Sequence, residues 1–448
     1  MDTDSELESQ IDQWRGYVRC HRVISPTDID EMEGHLRDQV SDLSEAGLTA
    51  SEAFLVAVKR MGNLDAISRE FAREHSERLW KQLMLMPAAP GADTARSRRE
   101  LSVVLALAVG AGLAVKAGLE WLPEQVLVRE ISLFVLPFLT GYFAWKRKMR
   151  MRDAAVLVVP FALAAVVLTL FPFAENGATE VIAAIHAPIA LWFVVGLAYV
   201  GGDWRSHRRR MDFVRFTGEW VVYLVLLALG GGVLIGLTIG AFEALDMDVE
   251  WAIGQWILPC GAAGAIIVAA WLVEAKQDVV ENIAPVLTRV FTPITVVMLL
   301  ALLVGFTATG SVVGVDRDLL ILMDLILVLV LGLLLYAISA RDPLAPPGFF
   351  DRMQLLLVVS ALAVDVLMLT AMLTRIAEFG FTPNKVTALG LNLVLLVNLV
   401  WSARLGVSFV RGRCGFGSVE RWQTRYLPVY GVWAALAVVA IPPAFDFV

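Results

Sequence analysis

The feature that most constrains this chain is a series of long apolar segments that begins at Leu101 and recurs almost to the last residue. Each segment has about 17–25 residues, and a helix of that length crosses a bilayer core of about 30 Å. The composition agrees, since 58% of the residues are hydrophobic and 18% are charged. Soluble domains are usually about 45–50% apolar and about 25% charged. The sequence therefore predicts an all-α, multi-pass membrane protein.

Eleven membrane spans are predicted, and the Lys and Arg residues of the connections predict their orientation. The even-numbered connections hold 19 basic residues, many of them in KRKMRMR and RSHRRRMDFVR, whereas the opposite side holds five. We therefore expect the N-terminus inside and the C-terminus outside. The predicted spans are residues 101–120, 130–146, 153–173, 180–200, 216–241, 252–274, 287–310, 319–339, 354–375, 385–404 and 427–445.

Residues 1–86 are polar and are predicted to form a small domain of four helices. Its second helix opens with Ser25 as cap and Pro26 at the first helical position. A capping box at Thr49–Glu52 opens the third helix. Residues 87–100 are predicted to be a linker, and residues 101–448 the membrane domain. One apolar stripe of the second helix consists of Ile29, Met32, Leu36, Val40 and Leu43.

Three short motifs of this domain occur together in one known family. The segments Glu33–Leu36, Gly47–Ala53 and Ala57–Asn63 fit E-x-H-L, G-L-[ST]-x-x-E-A and A-x-x-x-[LMF]-G-[DN]. In these motifs the domain resembles the permease prefix domain, which is related to the HAAS signalling domain. The resemblance implies a cytoplasmic regulatory or interaction module with a protein partner, and not an enzyme. Taken alone, Glu33 and His35 are interpreted as part of a solvated helix face.

A second resemblance concerns the membrane domain. The segment Ile376–Lys385 fits I-x-[EY]-[FY]-G-[FL]-T-x-x-[RK], with Glu378, Gly380, Thr382 and Lys385 at the matching positions. This pattern is similar to that of the domain-of-unknown-function 4153 family of bacterial multi-span proteins. The likeness extends more weakly over roughly residues 100–445. It implies an architecture and the bacterial cytoplasmic membrane, but no activity.

Two aspartates inside predicted spans are the main candidates for function. An ionisable group at the bilayer centre costs at least ~2.5–3.5 kcal/mol, so it normally has a partner. Asp365 lies about 17 Å along its span from Gln354, and Asp324 about 9 Å along its own span from Asp318. The spans are antiparallel, so the two carboxylates are expected at similar depths, where they would hold a proton or a cation. A structural hydrogen bond of Asp365 to a neighbouring Ser, Thr or Asn is the alternative.

Weaker candidates for an ion or proton path are His186, Asn392 and Asn398. His186 stands two residues before Pro188, and a satisfied core histidine is the competing interpretation. Asn392 and Asn398 are six residues apart, which places them about 120° apart around a helix and therefore on different faces. For these two asparagines, interhelical hydrogen bonding is the favoured interpretation.

A packing motif is predicted in the fifth span. Gly232, Gly236 and Gly240 form a ridge of small residues that permits close approach of another helix. Within a bundle of eleven spans, an internal helix is expected as its partner in preference to a second copy of the chain.

Several classes of function are disfavoured. Cys20, Cys260 and Cys414 have no metal-ligand spacing, so no metal or cofactor is expected. There is no phosphate-binding loop, no basic patch for nucleic acid, and no glycine before either aspartate as in intramembrane aspartyl proteases. The acidic start lacks an apolar run, so the first span is expected to direct insertion. A regulatory or signalling membrane protein is the first prediction, and a transporter or permease component with a carboxylate path is the alternative.

Overall fold

The computed structural model describes residues 7–8, 11–12, 26–45, 48–49, 53–54, 56–57, 92–245, 247–275, 283–309 and 317–448. All regular structure in these ranges is helical, as predicted. The chain divides into two compact units, Met1–Ala95 and Arg96–Val448. The helices are α1 (Pro26–Glu45), α2 (Ala92–Trp121), α3 (Glu124–Lys146), α4 (Met151–Leu170), α5 (Ala178–Tyr199), α6 (His207–Glu243), α7 (Glu250–Ala275), α8 (Ile283–Thr309), α9 (Arg317–Ser339), α10 (Phe349–Phe379), α11 (Pro383–Val410), α12 (Gly417–Val439) and α13 (Ile441–Ala444).

In the first unit, α1 begins at Pro26, as predicted, and Leu36, Val40 and Leu43 of its apolar stripe face a small core. Glu33 is half-buried and pairs with Arg37 at 3.0 Å, so it is less solvated than expected, whereas His35 is exposed. Arg37 also binds both carboxylate oxygens of Glu8, which lowers the pKa of Glu8. Several predictions lie outside the described residues: the first predicted helix apart from residues 7–8 and 11–12, Gly47, residues 50–52 of the capping box, the motif segment 58–63 and the predicted fourth helix. The core consists of Ile11, Leu36, Val40, Leu43, Ala53 and Ala57.

Ten described helices, α2 to α11, are long and apolar enough to cross a membrane. They coincide with the first ten predicted spans, which indicates a multi-pass membrane protein. Helix α2 begins at Ala92, so the second half of the predicted linker is helical. Helix α6 begins at His207, nine residues before the predicted span. The extension is stable because Met211, Phe213 and Phe216, which alternate with polar residues there, are buried in the bundle.

The eleventh predicted span corresponds to α12, whose first turns, before Leu427, carry polar residues. The contacts at its two ends nevertheless place α12 across the bundle. Near its start, the Thr424 hydroxyl lies 3.1 Å from Nδ1 of His207, at the beginning of α6. Beyond its end, the carbonyl oxygen of Val448 accepts a hydrogen bond from the backbone N–H of Thr179, at the beginning of α5. Helix α12 therefore runs antiparallel along α5, from one end of the bundle to the other.

The described membrane domain has one large apolar core in which neighbouring helices meet through interlocking side chains. Aromatic rings join α3, α5 and α6 near one end of the bundle. The ring of Tyr199 stacks on Phe216 with centroids 4.6 Å apart, and Phe143 meets both rings edge-on at 5.2 Å. Stacked and edge-on pairs of this kind add stability beyond the burial of their area. This cluster fixes the relative positions of the three helices.

The Ile376–Lys385 motif forms the turn between α10 and α11. Helix α10 ends at Phe379, and the next residue, Gly380, has a φ of 72°, which suits glycine and not residues with a side chain. The Thr382 hydroxyl caps α11 by accepting a hydrogen bond from the N–H of Lys385. The Lys385 ammonium in turn donates to the carbonyl oxygen of Gly380 at 2.9 Å. The motif residues Gly380, Thr382 and Lys385 thus stabilise a tight helix–turn–helix connection.

The predicted glycine ridge has no helix against it in the described part of the chain. A Cβ atom built at Gly232, Gly236 or Gly240 meets no atom within 4 Å, so the expected internal partner is absent among these residues. Close approach occurs elsewhere. A Cβ at Gly390 on α11 would overlap the indole of Trp433 on α12. The small-residue spacing rule selects Gly232, Gly236 and Gly240, whereas Gly390, the glycine that is closely packed, belongs to no such motif.

This difference predicts opposite effects of two Gly→Ala substitutions in the membrane domain. Gly390→Ala must displace the Trp433 ring, and overpacking of this kind costs about 1–3 kcal/mol. Gly236→Ala is expected to leave stability unchanged or raise it by up to about 1 kcal/mol, because alanine favours the helix. The free energy of unfolding of both variants is measured in mixed micelles and compared with that of the wild type. Equal destabilisation by the two substitutions would contradict this packing.

The position of α12 predicts that the residues before it and the residues after it lie on opposite sides of the membrane. In a variant with the native cysteines replaced, a cysteine at exposed Ala444 should react with a membrane-impermeant maleimide in intact cells. A cysteine at exposed Arg413 should react only after permeabilisation, given the orientation predicted from the basic residues. Reaction of both positions from the same side would show that α12 does not cross.

Candidate functional site

The main candidate residues lie on three consecutive helices, α9, α10 and α11, which pack against one another. Asp324 lies on α9, Asp365 on α10 and Asn392 on α11. The Asn392 side-chain amide donates a hydrogen bond of 2.9 Å to Oδ1 of Asp324. Asp365 lies on α10, which packs against both α9 and α11. We call Asp324, Asp365 and Asn392 the central polar cluster, and the close approach of the two aspartates stays a prediction.

Asp365 has the most unusual environment in this cluster. Its side chain is fully buried, with 0% exposure, and among the described residues neither carboxylate oxygen has a hydrogen-bond partner. The predicted alternative, a structural hydrogen bond to Ser, Thr or Asn, is therefore not formed in the described part of the chain. A buried carboxylate without donors is stable only when it carries a proton or meets a cation. The geometry thus favours an exchangeable ligand at Asp365.

Asn392 positions the cluster from the third helix. Its Nδ2 also donates to the carbonyl oxygen of Ala388 at 3.0 Å and lies 3.6 Å from Sδ of Met372. Asn392 is itself fully buried, and its Oδ1 has no hydrogen-bond partner among the described residues. This oxygen is an acceptor, so it is available to a proton donor or a small cation. The cluster therefore combines carboxylate and amide oxygens in an apolar surrounding.

Asn398 belongs to a different polar group, on the α12 side of α11. Its Oδ1 accepts hydrogen bonds from the indole N–H of Trp422 at 2.8 Å and from the Ser402 hydroxyl at 3.4 Å. The Ser402 hydroxyl also accepts from the Gln423 amide. The predicted separation of Asn392 and Asn398 onto different faces is confirmed. Asn398 links α11 to α12, which agrees with the interpretation of interhelical bonding.

His186 is not part of the central polar cluster by any described hydrogen bond. It lies on α5, where Nδ1 is 2.8 Å from the carbonyl oxygen of Ile182 one turn earlier. Helix α5 packs mainly against α3 and α12, and neither of these carries an aspartate of the cluster. The position therefore favours the competing interpretation, a satisfied histidine of the core.

A buried ion pair between α3 and α5 escaped the sequence analysis. Arg129 donates to Glu180 at 2.8 Å and lies over the ring of Phe173, with 4.8 Å to the centroid. Neighbouring Glu130 accepts a hydrogen bond from Thr169 on α4. In the sequence, Arg129 is informative only as a basic residue of a connection between spans. Its presence among the five basic residues of the sparsely charged side was the available signal.

A second ionic group, also missed, joins α2, α3 and α7 at the opposite end. Glu100 accepts from both Lys146 and the Tyr142 hydroxyl, at 2.6 and 3.0 Å. Lys146 and Arg147 both contact the nearly buried carboxylate of Glu274. In the sequence, Lys146 and Arg147 are recognisable only as members of a basic connection. Their carboxylate partners Glu100 and Glu274 lie 46 and 127 positions away, and sequence spacing carries no signal for such pairs.

No group of three or more His, Cys, Asp or Glu side chains with metal-binding geometry occurs among the described residues. No protein family, curated protein or solved structure matches this chain. The two resemblances remain predictions on the strength of their motifs. The central polar cluster is therefore interpreted from its geometry alone.

Removal of the cluster's amide should destabilise the bundle measurably. Asn392→Ala loses the bonds to Asp324 and Ala388, and interhelical hydrogen bonds in membranes contribute about 1 kcal/mol. Asn384→Ala is the matched control on the same helix, because Asn384 is exposed. It is expected to cost less than about 0.5 kcal/mol. Unfolding in mixed micelles compares the two variants, and an equal loss would argue against the Asn392 bond.

Proposed function

We propose that this chain is a bacterial cytoplasmic-membrane protein whose bundle binds a proton or a monovalent cation at the central polar cluster. The observation that carries the proposal is the fully buried Asp365 carboxylate without a hydrogen-bond partner among the described residues. An ionised carboxylate in that environment is unfavourable by at least ~2.5–3.5 kcal/mol. Binding of a proton or cation removes most of that cost, so occupancy and structure are coupled at this point.

The first function we propose for this occupancy is regulation. The unit Met1–Ala95 is separate from the membrane domain and has its own small core. Its motifs resemble a cytoplasmic interaction module, and the basic residues of the connections favour a cytoplasmic location for it. In this proposal the bundle responds to protonation or to an ion, and residues 1–86 bind a cytoplasmic protein. The chain is not an enzyme in this proposal.

Transport is the second candidate, and one observation favours it. Asp324 and Asp365 lie on neighbouring antiparallel helices that pack against each other, and the Asn392 amide donates a hydrogen bond to Asp324. Carboxylates inside a membrane-spanning bundle are typical of proton and ion pathways. In this proposal Asp365 and Asp324 pass a proton or cation between the two faces.

Flux into liposomes separates the two functions. Purified full-length protein is reconstituted with a pH-sensitive dye inside, and a proton gradient is imposed at fixed membrane potential. Transport predicts flux in the wild type, loss of most of it in Asp365→Asn, and retention in Asp153→Asn. Asp153 is the matched control because it is an exposed carboxylate in the first turn of α4. Sodium and potassium gradients test the cation in the same way.

Regulation predicts no flux but a response of the first unit. Hydrogen–deuterium exchange within residues 26–45 of the full-length protein should change between two pH values in the wild type and in Asp153→Asn. In Asp365→Asn this change should disappear. A folded Asp365→Asn variant that matches the wild type in both flux and exchange would refute the proposed role of the cluster.

A further inference from the structure

A cavity lined by arginines lies at the end of the bundle opposite to the α10–α11 turn. Its volume is about 530 Å³, and it is bounded by the end of α3, the connection after α5 and the first turns of α6. Tyr199 is the last residue of α5, and Arg147 directly follows α3. The cavity is therefore at the level where membrane spans end and lipid headgroups begin. It is lined by Arg147, Tyr199, Val200, Gly201, Arg209, Asp212, Arg215, Phe216 and Glu219.

Arg147 is held in place from two sides. Its Nε donates to the carbonyl oxygen of Tyr199 at 2.9 Å, and one terminal nitrogen donates to Glu274 at 2.8 Å. The guanidinium also lies over the Tyr199 ring, 4.8 Å from the centroid. A guanidinium has five N–H donors in a fixed plane, so these bonds leave others for a ligand. The arginine is thus pre-oriented at the cavity wall.

Arg209 and Arg215 are anchored mainly by neutral groups. Arg209 donates to the carbonyl oxygen of Val200 at 2.9 Å, and its carboxylate neighbour Asp203 is 3.7 Å away and exposed. Arg215 donates through two nitrogens to the carbonyl oxygen of Ser339. A backbone carbonyl fixes the side chain without cancelling its charge. Both guanidinium groups therefore present charge and spare donors at the cavity, which suits a phosphate group.

Two carboxylates on α6 complete the lining. Asp212 and Glu219 are acceptors only, so they repel a phosphate but accept hydrogen bonds from hydroxyl groups. A ligand that matches both halves of the cavity carries a phosphate at one end and hydroxyl groups at the other. The volume of the cavity is more than ten times the roughly 30 Å³ of a water molecule, so a group larger than a single ion fits.

We propose that this cavity, which we name the arginine cavity, binds a phosphate ester that bears hydroxyl groups. Arg147, Arg209 and Arg215 bind the phosphate, and Asp212 and Glu219 accept hydrogen bonds from the hydroxyls. The same chemistry occurs in the headgroup of phosphatidylglycerol and in soluble glycerol 3-phosphate. The site is independent of the central polar cluster, because it shares no residue with it.

Binding to the full-length protein in neutral detergent tests this proposal and its source. Native mass spectrometry measures retention of phosphatidylglycerol against phosphatidylcholine, and calorimetry measures glycerol 3-phosphate. Arg209→Gln and Arg215→Gln should each weaken binding about tenfold or more, since each removes a charge-assisted hydrogen bond. Arg208→Gln is the matched control, because it removes the same charge from an exposed position beside Arg209.

The outcomes are distinct. Preferential retention of phosphatidylglycerol that is lost in Arg209→Gln and kept in Arg208→Gln supports a lipid headgroup site. The same variant pattern with glycerol 3-phosphate supports a soluble ligand. Arg215→Lys keeps the charge but loses the planar fork, so it should restore binding only in part. Equal binding in all variants, or no preference for phosphatidylglycerol together with no binding of glycerol 3-phosphate, would overturn the proposal.

Discussion

The structure depends on one constraint, which is that a hydrocarbon solvent offers no hydrogen bonds to the peptide backbone. Helices satisfy every backbone group within one segment, so repeated helices are the natural fold of this sequence. The same constraint acts on side chains. Arg129 meets Glu180, and Asn398 meets Trp422, each across a helix–helix contact. Polar residues in the bundle therefore determine which helices are neighbours, and apolar packing fills the space between them.

Several buried side chains keep an unpartnered polar atom, but among the described residues only Asp365 is a buried carboxylate whose two oxygens both lack a hydrogen-bond partner. Asn392 offers one amide to Asp324, and Asp365 has no hydrogen-bond partner among the described residues. Most buried side-chain polar atoms in folded proteins are partnered, so a buried carboxylate without a partner requires a specific explanation. In the function proposed above, a bound proton or cation supplies the interaction that the protein does not. Helix α11 links this cluster on one side to the Asn398 network on the other.

Much of this architecture was predictable from the sequence. Segment length and hydropathy predicted α2 to α11, because crossing a membrane is a one-dimensional requirement. Depth along two antiparallel helices predicted that Asp324 and Asp365 lie at similar levels, and the helices that carry them are neighbours. Helical phase predicted that Asn392 and Asn398 diverge. The partner of each asparagine was not predictable, because it depends on which helix packs on which face. For the same reason the glycine rule selected Gly236 and missed Gly390, whose neighbour Trp433 is distant in sequence.

The depth of Asp365 has an electrical consequence. Asp365 lies about 24 Å from the start of α10, a helix of 31 residues that spans about 46 Å. In an energised membrane, an ion that reaches Asp365 from either face crosses roughly half of the transmembrane voltage. Moving one elementary charge through half of the transmembrane voltage involves about 1 kcal/mol of electrical work for each 100 mV. Occupancy of the cluster would then change several-fold with the membrane potential, even at constant pH and ion concentration.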